Sequence, residues 1–435
     1  MRPARKAELV LAAAVAAHLV VVELIFFTGE PGRNVLLGIG RFFGVHVAAV
    51  MMVQLVLVAR IPWLDRRLGM DRLTAWHRWT GIALTWTITV HATFVVLGFA
   101  RLDDDSVPAT FLSLAGVTAS LLGMLAATVV VVIAVVSTRW ARRRLPYEVF
   151  HAAHLLLYVA IGLALFHQAL EGTTFRSSAW AGGYWWTAWT LVLGTLVVFR
   201  VVQPVRRNLR HRFRVTAVVP EADDVVSVHV AGHDLGSLGG RAGQFCIWHF
   251  PGRFGWWQAN PFSLSDAPDG ERLRLTAKAV GDVSGGLRGL AVGSRVIVEG
   301  PYGAFTSAQR VKTKTLLVAG GIGITPLRAL LEDDLGPAIL VYRVRSEAEA
   351  VLLDELRDLA AAGRVELRLV TGRTGEGTPP TPAFDASYFA AEVPDVRDRD
   401  VYVCGPPPMT EAVVAALREL GLTREQIHFE RFGLG

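Results

Sequence analysis

The 435-residue sequence contains only two cysteines, Cys246 and Cys404. Two thiols cannot supply the four cysteine ligands that an iron–sulfur cluster usually takes. They are also too few for the set of disulfide bonds that supports many small secreted domains. The sequence therefore excludes a fused iron–sulfur module and a disulfide-stabilised scaffold.

Charged residues are scarce in the first half of the chain. Apolar residues make up 52% of the sequence, the mean hydropathy is +0.39, and nearly all of the apolar excess lies before residue 203. Six apolar segments in this half are each close to the ~20 residues that span a bilayer core. They cover residues 8–27, 41–59, 76–99, 111–136, 148–170 and 184–202. We therefore predict a six-helix transmembrane domain over residues 1–205, with the lipid bilayer as its partner.

The basic residues form clusters beside the apolar segments. Lys and Arg total 18 in one alternate set of loops and 4 in the other. The richer set comprises residues 1–7, 60–78, 139–147 and 200–214, and the poorer set comprises residues 28–41, 100–110 and 171–183. Because cytoplasmic loops carry the excess of Lys and Arg, both termini are predicted to be cytoplasmic. This clustering also argues against nucleic-acid binding as the reason for the net charge of +6.

The first apolar segment has a second interpretation. Arg2, Arg5 and Lys6 precede an Ala-rich run, as they would in a cleaved signal peptide. The apolar stretch continues through Phe27 without a convincing cleavage site. We therefore favour an uncleaved helix and expect a multi-pass protein of the cell (plasma) membrane.

The second half reads as soluble and divides near residue 310. From 211 to 308, short alternating runs such as Arg272-Leu273-Arg274-Leu275-Thr276 are separated by Gly and Pro, which predicts an antiparallel β-barrel. From 312 to 435, an apolar strand over 315–319 leads into a Gly-rich turn and a helix, and further strands and helices alternate. This pattern predicts an α/β domain with a parallel sheet covered by helices. We see no internal repeat.

Histidines occur at membrane depth, where an ionisable residue is a functional candidate by default. His77 and His91 lie 14 residues apart in the third segment, on nearly one helix face and ~21 Å apart along the axis. His154 and His167 lie 13 residues apart in the fifth segment, a rise of ~19 Å. Both segments run from inside to outside, so His77 can face His154 and His91 can face His167. This arrangement predicts two bis-imidazole sites, which suit the axial positions of haem iron.

Each histidine also has a simpler interpretation, because a core histidine can bond to a neighbouring helix. Thirteen residues on an ideal helix leave His154 and His167 about 140° apart, so tilt or a local bulge is required. His151 lies one turn before His154 and is the alternative third ligand. His18 and His46 have no partner at matched depth, which favours packing or a polar contact for them. Four histidines at matched depths on two parallel helices favour haem ligation.

A flavin motif is predicted in the barrel segment. In the run Asn260-Pro261-Phe262-Ser263-Leu264-Ser265 an aromatic ring stands beside hydroxyl groups, which suits a flavin ring and its phosphate-bearing tail. About 20 residues later, the segment 278–284 offers Lys278, Gly281 and Ser284, whose backbone amides and hydroxyl could hold a pyrophosphate. Because a pyrophosphate belongs to a dinucleotide, this segment favours FAD over FMN.

The glycine-rich run Gly320-Gly321-Ile322-Gly323-Ile324-Thr325-Pro326 directly follows the strand over 315–319. We expect Gly320, Gly321 and Gly323 to let the backbone approach a phosphate, with Thr325 capping the following helix and Pro326 at its first position. The positive end of that helix would face a dinucleotide pyrophosphate. The run is not Gly-x-Gly-x-x-Gly, which disfavours a standard Rossmann dehydrogenase.

Other strand ends in this domain carry further candidates. Cys404, Gly405 and Pro406 follow the strand over 401–403, at the sheet edge where ligands bind. Arg345 and Arg373 follow two other strands, and arginine at such a position accommodates the 2′-phosphate of NADPH. We therefore expect NADPH to be preferred to NADH. The alternative is that these are solvated surface residues, since the chain has 40 Arg against 4 Lys.

Together these motifs resemble a known family. Residues 41–170, with His77, His91, His154 and His167, resemble the transmembrane domain shared by ferric reductases and NADPH oxidases. Residues 211–435 are similar to the ferredoxin–NADP reductase fold, a flavin barrel followed by a nucleotide domain. Asn260 departs from the family motif, which begins with Arg or often His, so its flavin contact differs. No EF-hand loop is present.

The resemblance implies cofactors and a function. It implies two haems b on the four histidines, with His154 rather than His151 as ligand, FAD in residues 211–308 and NADPH or NADH in residues 312–435. It places Cys404 and Gly405 beside the nicotinamide and Phe432 over the flavin ring. The implied activity is that of an NAD(P)H-dependent flavohaem oxidoreductase carrying electrons to an external small molecule, either oxygen or a ferric chelate. The alternatives are an electron supply for an extracytoplasmic redox protein and a haem-free reductase anchored by six helices.

Overall fold

The computed structural model describes residues 3–30, 32–145, 147–172, 175, 178–255, 257–377 and 380–430. The chain forms two compact units. The membrane unit comprises Met1–Ile61 and Asp71–Val201, and the cytoplasmic unit, named for the side on which we expect it, comprises Pro62–Met70 and Val202–Gly435.

Long apolar helices dominate the first 211 residues. The helices are α1 Pro3–Thr28, α2 Val35–Val58, α3 Pro62–Leu68, α4 Met70–Asp103, α5 Val107–Ala115, α6 Thr118–Val136, α7 Arg139–Arg142, α8 Tyr147–Glu171, α9 Ala179–Val197 and α10 Gln203–His211. A π-helical turn, Val198–Val202, joins α9 to α10. Among the described residues, six helical runs are long and apolar enough to cross a membrane, namely α1, α2, α4, α6, α8 and the run from α9 to α10. The six predicted segments are confirmed.

Several helices begin before the predicted apolar segments, and two of these differences have a local cause. The second helix begins at Val35 rather than near residue 41, because Asn34 caps it by accepting a hydrogen bond from Leu37 N–H at 2.8 Å. The fourth segment, predicted over 111–136, is two helices. Gly116, a weak helix former, ends α5, and α6 begins at Thr118.

The flavin-motif half of the cytoplasmic unit is antiparallel, as predicted. One sheet has the order β1-β2-β5, with β1 Arg214–Ala222, β2 Val225–Ala231 and β5 Arg272–Lys278. The other has the order β4-β3-β6, with β3 Phe245–His249, β4 Asn260–Ser263 and β6 Ile297–Tyr302. Single bridges, Arg214 to Arg295 and Leu264 to Leu275, connect segments of the two sheets. Within the described chain the predicted antiparallel barrel consists of two three-stranded sheets.

Two helical segments pack against β6. Asp65 of α3 is buried, and its carboxylate accepts a hydrogen bond from Gly303 N–H at 2.8 Å. The side-chain amide of Asn208 in α10 bonds to both the N–H and the carbonyl of Val298, at 2.9 and 2.8 Å. These polar contacts hold α3 and α10 against β6, in addition to the pairing of β6 with its neighbouring strand.

The last part of the chain is an α/β domain, as predicted. Its strands are β7 Lys314–Gly320, β8 Ala338–Val344, β9 Glu366–Thr371, β10 Arg399–Cys404 and β11 Ile427–Glu430. All pairs are parallel, in the order β11-β10-β7-β8-β9. The helices between or after these strands are α12 Ile324–Leu330, α13 Leu353–Ala361, α14 Ala386–Glu392 and α15 Pro407–Glu419, and α11 Asp282–Gly286 precedes β6. The strand order reverses between β7 and β10, and ligands bind at such a point, outside the carboxyl ends of the strands.

A charge network joins β5 to the α/β domain. Arg274 is only 5% exposed and pairs with Asp266 at 2.5 Å and with both oxygens of Glu355 in α13, at 2.6 and 3.0 Å. Arg328 of α12 pairs with the same two carboxylates, at 3.1 and 2.6 Å. Burial alone would raise the pKa of Glu355, but the interactions with Arg274 and Arg328 together outweigh it and lower that pKa. The carboxylate of Glu355 therefore stays ionised at neutral pH, and the network fixes α12 and α13 against β5.

We expect Arg274→Ala to destabilise the cytoplasmic unit by about 3 kcal/mol, because it leaves buried carboxylates without their main partner. For a unit of this size the melting temperature should fall by about 6–12 °C. Arg272→Ala is the control, since Arg272 lies two residues away on the same strand with a side chain that is 59% exposed. Thermal unfolding of the detergent-solubilised protein tests this. Equal melting temperatures for the two variants would contradict it.

Candidate functional site

The second pair of histidines lies between α4 and α8. The ring centroids of His91 and His167 are 6.4 Å apart. Nδ1 of His91 is 2.8 Å from the carbonyl oxygen of Gly40 on α2, and Nδ1 of His167 is 2.8 Å from the carbonyl oxygen of Ala119 on α6. A carbonyl oxygen can only accept, so Nδ1 carries the proton in both rings. In the neutral imidazole Nε2 is then the nitrogen without a proton, which is the form that binds a metal.

The first pair has a similar spacing and different surroundings. The centroids of His77 and His154 are 6.2 Å apart. Their Nδ1 atoms are buried and make no hydrogen bond of normal geometry. The inner rings therefore lack the short carbonyl bonds of the outer pair, although the backbone of Gln54 on α2 interacts with His77.

Both spacings fit one metal ion between two rings. A metal–imidazole nitrogen bond is about 2.0 Å long, and the ring centroid lies about 1.1 Å behind the nitrogen, so two opposed imidazoles have centroids about 6.2 Å apart. The observed values are 6.2 and 6.4 Å. α8 is α-helical over Tyr147–Glu171, so no bulge brings His154 and His167 into line. Helix inclination and side-chain rotamers therefore account for the alignment of His154 and His167 with their partner rings.

The other membrane histidines make contacts of their own. The side chain of His151 is exposed on α8, whereas that of His154 faces His77. His18 bonds to the hydroxyl of Tyr184 at 2.7 Å, and His46 lies 3.2 Å from a carboxylate oxygen of Glu23. The structure thus gives His18 and His46 the polar contacts that we expected of them.

The six residues of the flavin motif divide by environment. Leu264 lies in the hydrophobic core, and Ser265 is buried, with its hydroxyl bonded to Thr276 and Arg274 at 2.8 and 3.1 Å. Asn260 uses its amide to bond the carbonyls of Trp248 and Gln258. Pro261 is exposed and Phe262 half-buried. The hydroxyl of Ser263 is buried without a partner, so this group is the one that fits a cofactor atom.

In the segment after β5, the hydroxyl of Ser284 forms its hydrogen bonds within the segment itself. Ser284 accepts hydrogen bonds from the N–H groups of Val280 and Gly281, both at 3.0 Å, and donates to the carbonyl of Gly281. Lys278 pairs with Asp224 at 3.1 Å. The turn is therefore preformed, and Gly281 stands at the start of α11, where backbone N–H groups of a first helical turn lack partners within the helix.

Glycines allow the loops after β7 and β10 to touch. A Cβ atom on Gly323 would lie 2.2 Å from the carbonyl oxygen of Cys404, and one on Gly405 would lie 3.1 Å from the Cα of Gly320. Gly320 and Gly323 are thus required by contact between loops, a reason that we did not predict. Gly321 has φ +53° and an open Cβ position, which suits the phosphate approach that we predicted.

The expected cap by Thr325 was wrong. α12 begins at Ile324 after Gly323, and the hydroxyl of Thr325 donates to the carbonyl of Ile322 at 3.1 Å. A tight turn over Gly321–Gly323 precedes the helix, which starts at Ile324, two residues earlier than predicted. Thr325 is therefore the second helical residue and Pro326 the third.

A cleft of about 1000 Å³ opens at the switch point of the parallel sheet. Its walls come from the carboxyl ends of β7, β8, β9 and β10, and from the β1–β2 turn opposite. Lining residues include Lys278, Gly320, Gly321, Arg343, Arg345, Arg373, Gly405 and Pro406. Arg345 and Arg373 are exposed, so both guanidinium groups are available to an anion.

Arg343 was missed by the sequence reasoning. It donates to the carbonyl of Pro382 at 3.0 Å and to the hydroxyl of Thr374 at 2.8 Å, and it lies over the ring of Phe384. It therefore fixes the loop that carries Arg373. The signal for it was available, since Arg343 stands two residues before Arg345 at the end of β8.

Cys404 ends β10 and is fully buried. Burial, and then the nearby Glu430, raises the pKa of its thiol, which stays protonated at neutral pH. Its neighbour Gly405 lines the cleft, whereas Phe432 lies outside the described residues.

Three family models match successive parts of the chain. The ferric reductase-like transmembrane component matches residues 43–166, the FAD-binding domain matches residues 210–306 and the oxidoreductase NAD-binding domain matches residues 317–415. The first match contains His77, His91 and His154 and ends one residue before His167. The second contains the flavin motif, and the third contains the glycine-rich turn with Arg345, Arg373 and Cys404.

Among curated proteins, the chain is similar to reductases over about half its length. It is 28% identical to the reductase component of propane 2-monooxygenase from Rhodococcus jostii over 237 residues, 51% of this chain and 63% of that protein. It is 33% identical to the ferredoxin–NAD(+) reductase component of the alkene monooxygenase system from Xanthobacter autotrophicus, over 44% of this chain and 61% of that protein. The chain thus spans less than two thirds of the length of these two relatives.

Among solved structures, the chain is similar to the flavohaem-like FAD/NAD-binding domain of nitric oxide dioxygenase from Vibrio cholerae. The identity is 25%, the match covers 52% of this chain and 99% of that one, and the TM-score is 0.44.

The family matches agree with the geometry of both units. The chain is an oxidoreductase with an FAD-binding and an NAD-binding domain and a membrane domain of the ferric reductase type. With these three domains in this order, it has the architecture of the ferric reductase and NADPH oxidase family.

Proposed function

We propose that this protein carries electrons from cytoplasmic NADPH, through FAD and two haems b, to a small acceptor on the outer side of the cell membrane. The observation that carries this proposal is the pair of facing histidine sites, His77 with His154 and His91 with His167, at spacings that fit two imidazoles on one iron. A haem-free reductase would have no use for two such sites in its membrane helices.

The membrane residues have defined tasks in this proposal. His77 and His154 would hold the inner haem, and His91 and His167 the outer one. Because 14 and 13 residues separate the members on each helix, the two sites are about 20 Å apart along the helix axes. Apolar helices around them exclude water and keep protons from the path.

In this proposal the cytoplasmic residues bind the flavin and the nicotinamide nucleotide and orient them. When bound, FAD accepts hydride from the nicotinamide and the haems carry single electrons. Ser263 offers its unpaired hydroxyl and Phe262 its half-buried ring to the flavin. Gly405 and Pro406 line the end of the cleft beside Cys404, where the nicotinamide would lie. Arg345 and Arg373 would hold the 2′-phosphate at the other strand ends.

A small-molecule acceptor is favoured over a protein partner. With both termini in the cytoplasm, the outer connections are residues 29–34, 104–117 and 172–178. They are too short to build the ~800 Å² that each partner commonly buries in a stable complex. Oxygen and a ferric chelate both fit this proposal. The names of the similar proteins, a monooxygenase reductase component and a ferredoxin–NAD(+) reductase component, support a reductase that uses a nicotinamide nucleotide.

The purified protein should show a b-type spectrum with about two haems per chain. His91→Ala should remove the outer haem, and His154→Ala should remove the inner one. His151→Ala is the matched control, because His151 lies one turn away with an exposed side chain, and it should keep both. A reduced-minus-oxidised spectrum with haem quantification measures this. Loss of the inner haem in His151→Ala with retention in His154→Ala would reverse the assignment.

The flavin released from the protein should be FAD, because the preformed turn around Gly281 and Ser284 suits a pyrophosphate. Mass spectrometry of the heat-released flavin distinguishes the two cofactors. Recovery of FMN alone would refute this prediction.

NADPH should be preferred to NADH. Charge-assisted bonds to a phosphate contribute roughly 1.5–3 kcal/mol each, so Arg345→Ala should lower kcat/KM for NADPH by about tenfold or more and leave NADH use nearly unchanged. Arg424→Ala, an exposed arginine that does not line the cleft, is the control. Steady-state reduction of a soluble dye with each nucleotide gives the ratio. Equal losses for both nucleotides in Arg345→Ala, or a wild type that prefers NADH, would contradict the phosphate role.

A further inference from the structure

The two outer imidazoles have matched surroundings on different helices. His91 bonds to the carbonyl of Gly40 on α2, and Gly44 follows four residues later, one turn along the same helix face. His167 bonds to the carbonyl of Ala119 on α6, and Gly123 again follows four residues later. α2 and α6 thus present the same pattern, a small residue and then a glycine, to equivalent rings.

Both glycines touch their ring. A Cβ atom on Gly44 would lie 2.9 Å from Cε1 and 3.0 Å from Nδ1 of His91. A Cβ atom on Gly123 would lie 2.9 Å from Nδ1 and 3.0 Å from Cε1 of His167. Such distances are shorter than van der Waals contact, so a methyl group there would have to displace the ring.

An outer ring that moved away from its glycine would lose a contact with its carbonyl or with its partner ring. Each Nδ1–H is bonded to a carbonyl at 2.8 Å, and the centroids of the two rings lie 6.4 Å apart. A ring displaced by a methyl group would lengthen the carbonyl bond or leave the opposed position. The glycine, the carbonyl and the facing ring therefore fix each outer imidazole on three sides.

The inner site is built differently. The Nδ1 atoms of His77 and His154 make no hydrogen bond of normal geometry, although the backbone of Gln54 on α2 interacts with His77. No glycine of the described chain has either ring among its nearest neighbours. The pattern of carbonyl and glycine is therefore a property of the outer site rather than of every membrane histidine in this chain.

We propose that Gly44 and Gly123 are positioning residues that set the geometry and the donor strength of the outer haem site. The proposal rests on the proposed function, because it assigns these residues to a haem held by His91 and His167. A hydrogen bond from Nδ1–H to a carbonyl makes the imidazole a stronger donor to the metal. A methyl group at either glycine would weaken that bond, and the affected haem would then be easier to reduce.

The test compares two pairs of Gly→Ala variants of the full-length protein. Gly44→Ala and Gly123→Ala add a methyl group against the outer rings. Gly38→Ala on α2 and Gly162→Ala on α8 add the same group where nothing lies within 4 Å, so they control for the general effect of alanine in a helix. Haem per chain, redox titration and the electron paramagnetic resonance spectrum of the ferric haems are measured, with FAD content and size-exclusion profile as evidence of folding.

The expected result is specific to one haem. Gly44→Ala and Gly123→Ala should each raise the midpoint potential of the outer haem, or lower its occupancy, while the inner haem, FAD content and size-exclusion profile match wild type. The outer haem is identified as the one that His91→Ala removes. Gly38→Ala and Gly162→Ala should titrate as wild type does. Because the two glycines lie on different helices, either variant alone tests the proposal if the other does not fold.

Two results would overturn the proposal. In the first, Gly44→Ala and Gly123→Ala titrate as the two control variants do. In the second, all four variants change both haems equally, which would indicate general helix packing. A wild-type protein that binds no haem would instead contradict the proposed function itself, so the two failures are distinguishable.

Discussion

The hydrogen bond between an imidazole Nδ1–H and a helix carbonyl is the interaction on which the membrane unit depends. An imidazole in an apolar helix bundle is costly unless its polar atoms are paired. The carbonyls of Gly40 and Ala119 pair one nitrogen of His91 and of His167, so that in the neutral imidazole the other nitrogen carries no proton. The same two bonds therefore lower the cost of burial and prepare a metal site. The inner histidines make no such bond of normal geometry, although the backbone of Gln54 on α2 interacts with His77.

In the cytoplasmic unit, fixed geometry comes from buried charge. Arg274 and Arg328 hold Asp266 and Glu355 between β5 and the helices of the α/β domain. The glycine contacts at the switch point then bring the loops after β7 and β10 together beside the cleft. Hydride transfer requires two bound rings to stay in one arrangement, and a rigid joint between the sheets that bind them meets that requirement.

Periodic features of the sequence were enough to predict the broad fold. Apolar length gave six membrane helices, strand–helix alternation gave the parallel sheet, and depth matching paired four histidines whose rings do face each other in the structure. Features that depend on distant contacts could not be predicted. Arg274 looked like the polar member of an alternating strand, but carboxylates from another part of the chain bury it. Gly323 looked like a phosphate contact, but it is required by the carbonyl of Cys404, 81 residues later.

Electron transfer across the bilayer is tested most directly in sealed vesicles that contain the purified protein. A membrane-impermeant ferric chelate is trapped inside and NADPH is added outside, so only molecules with an outward-facing cytoplasmic unit receive the nucleotide. The account predicts reduction of the trapped chelate at a rate that follows the added NADPH, with no need for detergent. The contrary result is that the trapped chelate stays oxidised, while the same chelate placed outside the vesicles is reduced at the rate predicted for the trapped one. Electrons would then leave at the flavin, and the transmembrane path would not exist.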